Sequence, residues 1–436
     1  MKLIQLLSIS IIATLLSCKT GSVNLFKAAS PHEAYQRKLI TAGLEKTALG
    51  SAWINASALS MQKALKINLP YKETGYFSAE KAIASAYKFN AVRGAKINIS
   101  LKKKPENGVA IYLDVWQLPI EGDAKLLASA DTLGNDIKFD VDETGDYLIR
   151  LQPELLRSAE YTLELTSGPS LGFPTKTGRA NIGSYWGDGR DKNNRKHEGV
   201  DIFGPFRSPV VATSNGTVTR VNENNLGGKV VWFRPTGKDY TLYYAHLDEQ
   251  IAKEGTQVLA GDTLGLMGNT GNARTTPPHL HFGIYTFSGA IDPLPFINPT
   301  VKSLPNGVAP LSNLNKTLKT TGKVSLLEGN ITNASKLMDL QTGTIVNVNS
   351  ATGNYYKVTL PDGNTGFVKS NELLQISKAN KKVKITAANA VIYDNPNSLA
   401  PIKGNLQAGI NVNVLGNFGD YNLIIDDESN TGWIKK

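Results

Sequence analysis

Between about Tyr87 and Leu165 apolar and polar positions alternate in five runs, KINISL from Lys96, AIYLDVWQL from Ala110, IKFDV from Ile137, DYLIRL from Asp146 and AEYTLEL from Ala159, separated by Gly, Asn, Asp and Pro. A period of two marks strands with one buried face, and strands this closely spaced without helices predict an antiparallel β-sandwich over residues 76–168. Upstream the period lengthens. Ala34, Leu39, Ile40, Ala42, Leu44 and Leu49 fall among polar residues from Pro31 to about Met61, with Ser30 placed to cap, which predicts a helical segment within 18–75. Further on, NGTVT, LGGKVV and AGDTLGLMGNTGN combine turn dipeptides with short apolar runs, the pattern of hairpins in a compact antiparallel sheet over 178–300. Past a Pro-, Asn- and Lys-rich linker at 301–321 the chain repeats itself. LQTGTIVNV at Leu340 returns as LQAGINVNV at Leu406, and NTGFVK at Asn364 as NTGWIK at Asn430. Gly343, Gly353 and Gly366 recur at Gly409, Gly419 and Gly432 with one constant offset of 66, so 322–376 and 380–436 are two copies of one strand-rich module. The expected fold class is mainly β and multidomain.

Composition adds compartment and partner. Of 436 residues 41% are hydrophobic and 19% charged, the balance of a folded chain, and the length calls for several cores. Lys2 followed by a mostly apolar run to Leu16 reads as a secretion signal over 1–17, too short to span a bilayer. The single cysteine, Cys18, has no internal disulfide partner, and LLSC resembles the bacterial lipobox, which implies lipidation and a membrane anchor. By resemblance to lipoprotein sorting, Lys19 rather than Asp after it implies an outer membrane facing the periplasm, with the cell surface as the alternative. The net charge of +10 suits an anionic neighbour such as a membrane or wall polymer; no nucleic-acid motif and no Gly-Lys-Ser/Thr phosphate loop occur, so nucleic acid is not an expected partner. A monomer is expected.

The chemistry concentrates between His197 and His281, which enclose four of the five histidines. In HLHFGIY, His279 and His281 project from one face of a strand while Leu280 and Phe282 face the core. The same alternation in TLYYAHL puts Tyr244 and His246 on a common face and Ala245 on the other. His197 and Asp201 would stand about 13 Å apart on a straight strand, so a bend at Gly199 is required for them to share a metal. HEGVD lacks the second histidine of the helical HExxH motif, and Glu198 is not assigned as a base. Imidazoles plus one carboxylate, without cysteine, form a donor set that zinc favours in open, catalytic sites. His32 stands apart and is expected at the surface; Arg274 is expected to be an exposed loop residue.

HEGVD, SPVVATSNGTVT, YYAHL, VLAGDTLGLMGNTGNA and PPHLHFGIY, in that order from about Gly183 to Pro293, resemble the lysostaphin-like, LytM-type zinc peptidases that cut peptidoglycan cross-links. The resemblance implies an antiparallel β peptidase domain in which His197, Asp201 and His281 hold zinc and His246 and His279 are the catalytic pair. Which of the two is the base stays open. GDYLIRLQPELLRSAEYTLEL resembles the end of a pre-peptidase β-sandwich, and the two repeats resemble small SH3-like β-barrels of wall hydrolases. That likeness implies a hold on wall peptides, with Tyr355, Tyr356, Tyr421 and Trp433 as candidate contacts. The expected function is zinc-dependent endopeptidase action on peptidoglycan; a secreted peptidase for protein substrates and a non-catalytic wall-binding activator are the alternatives.

Overall fold

The computed structural model describes residues 29–130, 136–190, 193–331, 333–377 and 381–436; the signal segment 1–17 and Cys18 lie outside them. Among the described residues no helix is long and apolar enough to cross a membrane. The architecture is mainly β.

Ser30 opens the first helix, Pro31–Thr41, with a capping box: its hydroxyl accepts from the Glu33 amide and its own amide donates to the Glu33 carboxylate. The single helix expected from the sequence is two. Gly43 takes φ 71°, a left-handed turn that ends the first, and Thr47 caps the second, Ala48–Gln62. His32 is not at the surface. Its ring is 1% exposed, stacks on Trp53 at 4.7 Å and lies 2.6 Å from Gln152 Oε1. The periodicity could not reveal this, because the partners come from other elements, Trp53 from the second helix and Gln152 from a strand 120 residues away.

Both helices pack on the outer face of a sandwich. One sheet runs Leu65–Lys66, Ser85–Ala91, Gly145–Pro153, Ile111–Leu118, Lys125–Ala130; facing it lie Tyr71–Phe77, Ala159–Pro169, Ala95–Lys104 and Ile137–Asp140. Ile97, Ile99, Leu113, Val115, Ile149, Leu151, Leu163 and Leu165 fill the space between with no exposure. The strand Tyr71–Phe77 begins ahead of the expected start at 76, and its far edge pairs antiparallel with Ile345–Thr352 (Thr74 opposite Ala351, Gly75 opposite Ser350), so the sheet continues into the first repeat.

The segment from Asn181 to Ile291 forms its own ten-stranded sheet, in which Val200–Phe203, His279–Thr286, Thr241–Gln250, Gly228–Pro235 and Gly216–Asn224 lie side by side. Leu171 joins it to the sandwich by donating its amide to Phe296 O, and the Phe296 ring lies against Gly94.

The two repeats share their central strands, and the first adds Leu373–Gln375 paired with Thr317–Thr320. Ile345–Thr352, Tyr355–Thr359 and Thr365–Lys369 return as Asn411–Phe418, Tyr421–Ile425 and Thr431–Lys435 in the same spatial order. Gly366 is pressed against the Leu326 side chain as Gly432 is against Ile392, so a Cβ at either would overlap its neighbour. Tyr356 and Trp433 are buried in these units, which removes them as surface contacts; Tyr355 and Tyr421 stay partly exposed.

Candidate metal centre and its histidine pair

Two adjacent strands build the core of the site. Asp201 sits directly opposite His281, and Phe203 opposite His279, across the antiparallel pair Val200–Phe203 and His279–Thr286. Directly opposed residues share a face. Their intervening neighbours Val200, Ile202, Leu280 and Phe282 point the other way and are wholly buried in the apolar core. The alternation read from HLHFGIY therefore places both histidines as expected.

His197 arrives from a bend just before the strand. Gly199 is needed there for space: a Cβ would meet Phe282 O at 2.6 Å and His281 Cε1 at 2.8 Å. With the chain this close, His197 Nε2 lies 2.9 Å from His281 Nδ1 and 3.0 Å from Asp201 Oδ1, and His281 Nδ1 lies 3.0 Å from the same oxygen. Three donor atoms of two imidazoles and a carboxylate thus form a nearly equilateral triangle able to hold a metal ion. Edges near 3 Å are what bonds of about 2 Å from one tetrahedral ion to three N and O ligands produce.

The neighbouring groups fix which atoms point inward. His197 Nδ1 donates to Tyr185 O at 2.8 Å, which leaves Nε2 with its lone pair toward the triangle. Arg190 Nη2 donates to Asp201 Oδ2 at 2.7 Å and to Ser184 Oγ at 2.7 Å, occupying one carboxylate oxygen and leaving Oδ1 as the ligand atom. Burial alone would raise the Asp201 carboxyl, but the adjacent His197 and His281 imidazoles hold it well below the usual carboxylate range. It is an anion at any pH where a metal would bind.

His246 reaches the site by a different route from the one its sequence pattern suggests. In the register with the His279–Thr286 strand, Tyr244 opposes Phe282 and Ala245 opposes His281. Tyr244 therefore lies in the core and Ala245 on the site face, the reverse of the expected assignment. A regular strand would carry His246 into the core as well. Instead His246 takes φ 61°, and the ladder slips on both sides, between Lys229 and Val231 and between Leu247 and Glu249. This bulge turns the ring to the site face. It is clamped by His246 N donating to Gly227 O at 2.8 Å, and by the close approach of Gly228 (φ 64°) to Gly271 (φ 70°), where a Cβ on either would sit under 2.5 Å from backbone of the other.

The rings of His246 and His279 end 4.9 Å apart, with His246 5.9 Å from His281. His246 Nδ1 donates to Thr270 O at 2.8 Å and His279 Nδ1 to Pro277 O at 2.9 Å, so each presents Nε2 as a free acceptor. Burial, with His279 and His281 nearby, pushes His246 down to about 4, which keeps it neutral at physiological pH. Glu198 is exposed, and its carboxylate lies near Tyr285 instead of the triangle. Arg274 is exposed in its loop, as expected.

Sequence reasoning missed Arg190 and an aromatic shelf beside the triangle. Trp232 packs on Tyr243 at 4.4 Å, Tyr285 lies 5.6 Å from Trp232, and Tyr243 lies 6.0 Å from His281. The shelf follows from strand alternation, since Trp232 opposes Tyr243 on the site face. Arg190 left no local signal, because its contact is made by tertiary folding alone.

The chain is 36% identical over 126 residues to an L-Ala--D-Glu endopeptidase of Bacillus subtilis, covering 26% of this chain and 38% of the relative. It is 35% identical over 88 residues to the peptidoglycan DD-endopeptidase ShyC of Vibrio cholerae, covering 20% of each. The solved catalytic domain of lysostaphin from Staphylococcus simulans is 32% identical, over 27% of this chain and 90% of that one, with a TM-score of 0.25. The chain thus spans less than two fifths of the length of these two curated relatives. Residues 195–293, which carry all five site residues, match the sequence profile of Peptidase family M23.

Proposed function

We propose that this protein is a zinc-dependent endopeptidase that hydrolyses peptide cross-links of bacterial peptidoglycan during wall remodelling. The observation that carries the reading is the convergence of His197, Asp201 and His281 on one metal-sized triangle with the second pair, His246 and His279, beside it. A structural metal needs no such pair. The donor set fits zinc, which when bound supplies Lewis acidity that polarises an amide carbonyl and makes water a competent nucleophile near neutral pH.

The remaining steps belong to side chains. One of His246 and His279 accepts the proton of the attacking water at Nε2 and then passes it to the leaving amine; the other donates to the developing oxyanion only when protonated at Nε2 as well as Nδ1. The carbonyls of Thr270 and Pro277 hold both rings in the required tautomer. Tyr243, Trp232 and Tyr285 form an aromatic patch of mutually inclined rings, with Trp232 and Tyr285 partly exposed, against which a peptide packs beside the site.

Support for a wall substrate comes from the relatives, one named as a peptidoglycan DD-endopeptidase and another as an L-Ala--D-Glu endopeptidase. Lipidation at Cys18 would anchor the chain in the cell envelope, and the repeats at 322–376 and 380–436 would serve as SH3-like modules that hold wall peptides. The division of roles is tested by substituting His281→Ala and His246→Ala and measuring zinc content beside peptidoglycan hydrolysis. The first loses both; the second keeps zinc and loses turnover. Equal loss of zinc in the two would overturn the assignment.

A further inference from the structure

A cavity of about 380 Å³ opens where the helix Ala48–Gln62 and the strand Ser85–Ala91 meet the first repeat, and it shares no residue with the metal centre. Its volume is in the range of small-ligand sites.

The lining is one-sided in its chemistry. At the floor lies Lys357, 4% exposed, whose ammonium donates to Ser85 Oγ at 2.9 Å and to the Tyr87 hydroxyl, with the Glu73 carboxylate 3.7 Å away. On the wall, Asn347 and Asn349 have their carboxamide oxygens engaged, accepting from Thr317 Oγ1 at 2.9 Å and Thr359 Oγ1 at 2.7 Å. What these two side chains still offer are N–H donors. Lys63 and Lys81 stand among the other lining residues, and among the described residues that line the cavity there is no aspartate or glutamate, Glu73 lying behind the lining against Lys357. Leu59, Leu65 and Ile83 add aliphatic surface, and Ser60, Thr359 and Thr365 add hydroxyls. Glu73 already neutralises Lys357, so the amide donors of Asn347 and Asn349 together with the ammonium groups of Lys63 and Lys81 are what select an acceptor with negative charge, and the aliphatic part of the wall favours one that carries an apolar group.

We propose that this cavity is a second, non-catalytic site that binds a short peptide through a free carboxylate. The carboxylate meets the amides of Asn347 and Asn349 and the ammonium groups of Lys63 and Lys81, while an aliphatic side chain packs on Leu59 and Ile83. The site is composed jointly of the N-terminal unit and the first repeat, so a bound peptide reports on both. It stands independently of the zinc reading, since none of its residues touches the metal centre.

The test is isothermal titration calorimetry on the chain lacking residues 1–18, using three probes: N-acetyl-Ala-Ala with a free C-terminal carboxylate, the same dipeptide as its amide, and N-acetyl-Ala-Glu amide, whose only carboxylate is on a side chain. At least one acid probe is expected to bind saturably, at least about tenfold tighter than the neutral amide; which acid is preferred tells whether the natural group is a chain end or a side chain. Lys81→Glu, at an exposed position, and Asn349→Asp should each weaken that binding by about tenfold or more, while His281→Ala leaves it unchanged. Equal binding of acid and amide, wild-type affinity in both cavity variants, loss of binding in His281→Ala, or no saturable binding at millimolar probe would each overturn the proposal.

Discussion

Arg190 Nη2 and Asp201 Oδ2 are 2.7 Å apart, and this contact decides which carboxylate oxygen is left for the metal. The guanidinium sits on a two-residue strand paired with Arg195–Lys196, so the hairpin before HEGVD acts as a brace for it. Removing such a ligand-orienting partner costs roughly 10–100-fold in metal affinity. Arg190→Ala should therefore weaken zinc binding by that factor, read by competition with a chromophoric chelator, with hydrolysis restored at high zinc. Unchanged affinity would mean that Asp201 is held without it.

His246 depends on a bulge, not on its strand, and the bulge depends on two glycines. In Gly228→Ala the new Cβ would meet Thr270 Oγ1 at 2.2 Å and Gly271 N at 2.4 Å. The Thr270 carbonyl that orients His246 would move with them. Because misplacing a catalytic group by about 1 Å costs on the order of 100-fold, turnover should drop by about that much while zinc content stays at the wild-type level. A variant that loses both would point to a general collapse of the sheet edge.

Glu73 and Lys357 join the sandwich to the first repeat from inside. The carboxylate, with no exposure, accepts from the hydroxyls of Tyr71, Tyr87, Tyr161 and Ser350 at 2.6 to 2.9 Å, and Lys357 lies 3.7 Å away. Burial, reinforced by the adjacent carboxylate, raises all three tyrosines well above their ordinary range, so they remain donors. Glu73→Ala strands a buried ammonium and should cost about 3–5 kcal/mol. The double change Glu73→Leu with Lys357→Met should recover much of that loss. Calorimetry of the three chains decides it: a double variant no better than the single one contradicts the pairing.

His32 makes the N-terminal unit sensitive to acid. Burial, followed by the charge of Arg150, pushes it to about 4 from an unfolded value near 6.5. The fold thus favours neutral His32: its contribution is complete above pH 6.5 and is lost as pH falls toward 4. The span amounts to roughly 3 kcal/mol. Urea midpoints at pH 7.5 and 5 should differ by less in His32→Gln than in the parent. An equal pH dependence would remove His32 as its source.

The sequence disclosed what local spacing controls. His279 and His281, two apart on a strand, had to share a face, and the bend at Gly199 followed from the distance between His197 and Asp201. It hid what depends on a change of register or on distant partners. Tyr244 and His246 looked like one face because a bulge leaves no mark on the apolar pattern. His32 looked exposed because Trp53 and Gln152 reach it only in the folded chain. The strand Tyr71–Phe77 escaped notice because its polar residues include Glu73, which is buried only by virtue of its four hydroxyl partners and Lys357.

The most direct test of the zinc endopeptidase reading is digestion of purified peptidoglycan by the chain lacking residues 1–18, with and without a zinc chelator, the released fragments being identified by mass spectrometry. The account predicts cleavage of a peptide bond that stops with chelator and returns on adding zinc. Intact peptidoglycan after incubation with fully zinc-loaded protein, repeated with residues 178–300 alone, would contradict it.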